Sequence, residues 1–131
     1  MKFDWQQFFE LATELSRLAE LETAPQKREA MRRTAISRAY YAVFCLSAAW
    51  LRENFPQTNL PESGEIHRGV IDFFEWHQNS EYKQVGVLLD SLRKRRNRAD
   101  YASQIADSKS LVARSLFDAN RVLNALSGLE I

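Results

Sequence analysis

Residues 39–51 read AYYAVFCLSAAWL, and every one of the thirteen except Ser47 is apolar. A helix that is apolar on all sides belongs in the middle of a bundle, where neighbours cover each face. A membrane span is the competing reading, but thirteen residues bounded by Arg38 and Arg52 fall short of the ~20 needed to cross a bilayer. The stretch therefore predicts an all-α fold built around one central helix, an up-and-down bundle of four to five helices.

Before it, TAPQ (residues 23–26) supplies a start signal. Thr23 and Gln26 make a capping-box pattern, and Pro25 falls in the first turn, where its missing N–H costs little. This helix is expected to run to about Glu53. An earlier helix is expected to begin at Asp4 as N-cap, with Phe3 and Phe8 forming a hydrophobic staple. Its inward stripe is Phe8, Leu11, Ala12, Leu15, Leu18 and Ala19.

Past the central helix, ENFPQTNLPESGE (residues 53–65) holds two prolines and several turn formers, which predicts an exposed loop. A third helix carries Ile66, Val70, Phe73 and Phe74 on one face. Ser80 is placed to cap a fourth, with the stripe Val85, Leu88, Leu89 and Leu92. After a polar break near YASQIAD, Asp107 is placed to cap a fifth, whose inward residues are Val112, Leu116, Ala119, Leu123 and Leu126. Gly128 stands where a left-handed C-terminal residue belongs.

The chain has 131 residues, four glycines and three prolines, with apolar residues at three- and four-residue steps and no convincing strand. One domain, residues 1–131, is the expectation. Eighteen Lys and Arg stand against 17 Asp and Glu, a net +1, which argues against a histone-like or membrane-coating protein and makes any electrostatic signal local. The acids in MKFDWQQFFELATELS interrupt the apolar region a signal peptide needs. Together with a single cysteine, Cys45, read as a buried small hydrophobe, this favours a cytoplasmic setting.

Familiar catalytic signatures are absent. His67 and His77 stand ten apart and turn about 80° from one another on a straight helix. No metal site and no cofactor are expected, and both histidines are read as lying at the helix surface or margin. No glycine-rich phosphate loop or nucleophile elbow is present.

What remains is RKRRNRADY, residues 93–101, with five basic side chains in six positions. At ~100° per residue, Arg96 and Ala99 continue the stripe of Val85, Leu89 and Leu92, while Lys94 and Arg98 point away. An inward guanidinium needs a partner, because an unpaired buried charge costs several kcal/mol. That partner is a carboxylate, helix-end carbonyls, a subunit interface or a ligand phosphate. Arg38 is a second such arginine, on a face with Met31, Ala35, Ala42 and Ala49. Two readings stand. In one, both arginines are structural and paired with acids such as Asp90, Asp100 or Asp118. In the other, Arg96, Asn97, Arg38, Arg95 and Arg93 form an RNA-phosphate site, with Tyr101 close by.

SRAYYAVF (residues 37–44), followed by RRNRADY (residues 95–101) and a final amphipathic helix, resembles the HEPN family, the higher eukaryote and prokaryote nucleotide-binding domain. The resemblance is to its small stand-alone bacterial and archaeal members. It implies a four- or five-helix up-and-down bundle, usually a homodimer, with two long helices forming a central hairpin. Many members are metal-independent ribonucleases, often toxins of toxin–antitoxin pairs whose partner is a small nucleotidyltransferase. Their motif is an arginine, commonly followed by asparagine, with a histidine four to six residues after the arginine. Here it aligns as Arg96, Asn97, Arg98, Ala99, Asp100, Tyr101, so tyrosine stands in the histidine place.

That departure bears on chemistry. A phenol, with a reference pKa of about 10, is a poor base near neutrality, where imidazole at about 6.5 is well placed. Residues five apart on a continuous helix also lie about 140° apart, so Arg96 and Tyr101 share a site only if the helix bends between them. Three functions follow as alternatives. The first is an RNA- or nucleotide-phosphate-binding regulatory module with a degenerate nuclease motif. The second is an active endoribonuclease using Arg96 and Tyr101. The third is a non-catalytic partner of a nucleotidyltransferase.

Overall fold

The computed structural model describes residues 1–131 and contains five α-helices and no strand. They are α1 (Gln6–Leu21), α2 (Pro25–Asn54), α3 (Ile66–Glu75), α4 (Ser80–Tyr101) and α5 (Ser108–Gly128), with one 3₁₀ turn at Ser63–Glu65. α2 is the 30-residue centrepiece. It packs against α1, α4 and α5, while α3 lies mainly on α4. Tyr40, Val43 and Leu51 of α2 are fully buried, and they join Val70, Phe74, Val85, Leu89, Val112 and Val122 in one apolar cluster. No helix is long and apolar enough to cross a membrane.

Local signals set most helix starts, sometimes through a neighbouring residue. Asp4 accepts from the Gln6 amide at 3.0 Å, and Phe3 meets Phe8 with ring centroids 5.1 Å apart, which is the predicted staple. At α2, Pro25 takes the first helical position, but the Thr23–Gln26 box does not form. The Glu22 carboxylate accepts from the amides of Thr23 and Ala24, ahead of the helix, and no side chain caps α2. At α4 the cap is Asn79 and not Ser80: its Oδ1 accepts from Glu81 at 2.7 Å and Tyr82 at 3.4 Å. An asparagine side chain reaches the second and third amides as well as serine does, so neighbouring cap formers compete. Asp107 caps α5 as predicted, accepting from Ser110.

Two other expectations are corrected. Leu11 is exposed and Phe9 is packed against the core in its place, because α1 presents only a narrow face to α2. Gly128 is not left-handed; no glycine has positive φ, and the chain leaves α5 through an extended Leu129. The 53–65 stretch is irregular as expected, though α2 continues to Asn54 and Leu60 packs against the core.

Two connections clamp the ends. Arg33 of α2 donates to the carbonyls of Ala99 and Ala102, satisfying the open C-terminus of α4. Glu29 accepts from Arg33 and from Ser108 Oγ, tying α2 to the start of α5. Thus the helix-end carbonyls named as candidate partners of Arg96 are taken by Arg33.

Candidate phosphate-binding site

The basic run disperses around α4. Lys94 points outward and pairs with Asp90 at 3.1 Å, while Asn97 and Arg98 are exposed. Arg95 faces α5 and pairs with Asp118 at 2.6 Å. Its guanidinium therefore belongs to the α4–α5 contact and is withdrawn from the predicted phosphate-binding set.

Arg96 turns inward, as helical phase predicts, and is only 9% exposed. Its first partner is not an acid. Nη1 donates to the Tyr41 hydroxyl at 2.8 Å, and the guanidinium carbon lies 5.3 Å and 5.2 Å from the ring centroids of Tyr40 and Tyr41. Asp100 stands at 4.0 Å, the outer limit of an ion pair. Arg38 also lies against this tyrosine, 4.8 Å from the Tyr41 centroid and 4.7 Å from that of Phe8. Neither Asp90 nor Asp118 reaches Arg38 or Arg96; those acids serve Lys94, Arg68, Arg95 and Arg121. Arg93 is half-buried, and its Nε, like that of Arg96, is buried without a hydrogen-bond partner. Rings can hold guanidinium groups by cation–π attraction, but they leave the charge itself uncompensated.

α3 brings in His67, which the sequence reading left at the helix margin. Its ring stacks on Phe44 at a centroid distance of 4.2 Å and approaches Tyr40 and Tyr41 at 5.7 Å and 6.0 Å. Nδ1 lies 2.6 Å from the Tyr40 hydroxyl. The signal was present in the spacing: His67 lies three, four and seven residues before Val70, Ile71 and Phe74, the buried face of α3. His77 is elsewhere, stacked on Tyr82, with Nδ1 accepting from the Asn79 amide.

Burial, and next the positive charges of Arg93 and Arg96, push the His67 imidazole down to about 4, so the ring is neutral at pH 7. Burial likewise raises the Tyr40 phenol well above its ordinary value, keeping its proton in place. Between about 4 and about 6.5 the unfolded chain binds a proton that folded His67 refuses. Stability is then complete above about 6.5 and declines as pH falls toward about 4. The full shift corresponds to about 3 kcal/mol, which solvent screening of a half-exposed ring reduces to about 1–2. Urea denaturation across this window is expected to show that loss, and His67→Leu to flatten it; an equally steep decline in the variant contradicts the assignment.

Tyr101 is not drawn into this cluster. α4 continues unbroken to Tyr101, so the bend that would bring it beside Arg96 does not precede it, and its side chain is 81% exposed. Cys45 is half-buried, and burial pushes its thiol up, away from the reactive thiolate. No three His, Cys, Asp or Glu side chains lie close enough to share a metal ion. The widest surface cleft lies one turn further along α4, lined by Glu29, Arg33, Arg98 and Gln104 among others. Arg33 is already engaged with carbonyls and Glu29 there, which leaves exposed Arg98 as the unpaired cation of that cleft.

No family model matches the chain, and no solved structure matches it. An uncharacterized protein of Methanocaldococcus jannaschii, MJ0628, is 32% identical over 91 residues, covering 61% of this chain. The chain spans about half the length of that relative, 55%.

Proposed function

We propose that the chain is a HEPN-like module that binds RNA or nucleotide phosphate, acts as a homodimer, and serves a toxin–antitoxin or defence-associated system with its ribonuclease motif degenerate. The observation that carries this reading is the convergence of Arg38 and Arg96 on the Tyr41 ring, with the charge of Arg93 also acting on neighbouring Tyr40 and His67, and with only Asp100 nearby, at 4.0 Å from Arg96. Guanidinium groups gathered in this way repel one another, and a phosphate relieves that repulsion while offering oxygens to their free N–H groups. Arg96, on the motif position that the resemblance singles out, is the central one. The catalytic alternative receives less support, since the exposed Tyr101 stands away from buried Arg96 on one continuous helix.

The test is fluorescence anisotropy with a labelled single-stranded RNA over a salt series. Wild type is expected to bind, with affinity falling as salt rises. Arg96→Ala is expected to weaken binding by about tenfold or more, the worth of a charge-assisted contact, and to reduce the log–log salt slope by about 0.7. Arg93→Ala, at a less buried position, serves as a second variant in case Arg96→Ala disturbs folding. Binding that is indifferent to both substitutions refutes the reading. Sedimentation equilibrium tests the homodimer, and a monomer at micromolar concentration refutes that part.

A further inference from the structure

The Tyr40 hydroxyl is fully buried, and its hydrogen-bond partner is Nδ1 of His67, 2.6 Å away. If Nδ1 carried the imidazole proton, the Tyr40 O–H would be a buried donor with no acceptor, which is costly. The hydroxyl therefore donates to Nδ1, and the ring proton resides on Nε2. Phe44, stacked at 4.2 Å, holds the ring plane. Nε2 itself makes no hydrogen bond within the protein and is not one of its buried unpaired nitrogens, so it opens to solvent. Tyr40 and Tyr41, the rings beside His67, are also those that hold Arg96, a nine-tenths-buried side chain whose Nε has no partner.

The geometry points to His67 as a ligand residue of the arginine cluster, offering a fixed Nε2–H to a phosphodiester oxygen of single-stranded RNA whose charge Arg93 and Arg96 neutralise. This rests on the phosphate-binding function proposed above and names the donor that function needs. It also defines what the histidine does not do. With Nδ1 engaged by Tyr40 and Nε2 protonated, His67 has no free lone pair with which to take the proton of a ribose 2′-hydroxyl. It holds the phosphodiester and does not act as a base. Tyr40, which never touches the ligand, is the positioning residue that sets the tautomer.

The experiment uses the full chain labelled with ¹⁵N. Imidazole nitrogen shifts at pH 7 are expected to report a neutral ring protonated on Nε2 in wild type, and loss of that single tautomer in Tyr40→Phe. Adding single-stranded RNA is expected to move the His67 Nε2 signal. His67→Leu is expected to weaken RNA binding about tenfold, the worth of one donor to a charged acceptor. His67→Gln, whose amide N–H can stand near the Nε2 position, is expected to recover most of the loss. An Nδ1-protonated ring overturns the inference. So does RNA binding that depends on Arg96 but not on His67, an outcome that leaves the phosphate-binding function standing. A wild-type chain that binds no RNA overturns both, and tighter binding of a nucleoside monophosphate than of RNA overturns the phosphodiester assignment.

Discussion

Replacing Gly86 by alanine is expected to lower the unfolding free energy by about 2–3 kcal/mol. A Cβ at that position would lie 2.3 Å from the Glu75 nitrogen, 2.5 Å from its Cα and 2.7 Å from its Cβ. The first two atoms are backbone, so no rotamer change relieves the overlap, and the C-terminal end of α3 must move away from α4. Overpacking of this kind costs about 3 kcal/mol or more, and the better helix propensity of alanine returns only about 1. The change reads out as a urea midpoint shifted down with the slope unchanged, or a melting temperature lower by about 10 °C. An unchanged midpoint would sink the claim that α3 and α4 touch backbone to backbone there. Because α3 carries His67, the same variant is also expected to loosen the His67–Tyr40 hydrogen bond.

Asp118→Ala is the second large effect, about 3 kcal/mol of destabilisation. Arg95 and Asp118 have side chains only 12% and 14% exposed and meet at 2.6 Å, and one Arg95 nitrogen, Nη1, is already buried without a partner. Deleting the carboxylate leaves a mostly buried guanidinium with no counter-charge, which is the expensive way to break such a pair. Arg121, half-exposed at 3.5 Å from the same carboxylate, contributes little. Arg95→Met is expected to cost less, since Asp118 keeps Arg121 and the methionine stem fills the space. In both variants RNA affinity is expected to stay within about twofold of wild type, because Arg95 faces α5 and contributes no phosphate contact of the ~tenfold kind expected at Arg96. A fully stable Asp118→Ala protein, or one that loses RNA binding while folded, contradicts this division of the basic run.

How much of this could be read beforehand differs by residue. Unbroken apolarity in AYYAVFCLSAAWL identified the central helix, and the stripes of α4 and α5 identified the faces turned toward it. The same arithmetic placed Arg96 inward and Lys94 and Arg98 outward. Cap assignment was less secure: no side chain caps α2, where Thr23 was expected to, and Asn79 took the role assigned to Ser80, since neighbouring side chains can reach the same free amides. Leu11 went astray because a helix packed mainly on one neighbour buries less of its apolar arc than the pattern allows. His67 was legible only as a member of the Val70, Ile71 and Phe74 face, and a histidine search framed by metal spacing passed over it.

The all-helical fold, helix phase and the inward or outward direction of Arg96, Lys94 and Arg98 were determined by the sequence alone, because they depend on spacing within one segment. What each inward charge meets was decided only by the tertiary structure. Arg95 and Arg96 are adjacent in sequence, yet one meets Asp118 of α5 and the other Tyr41 of α2, 55 residues away. Neither pairing follows from a local rule, since it depends on which residues the packing of α2, α3 and α5 brings to the two sides of α4. The same packing carries His67 from α3 to the Tyr40 hydroxyl and leaves Tyr101 in solvent at the end of an unbroken helix.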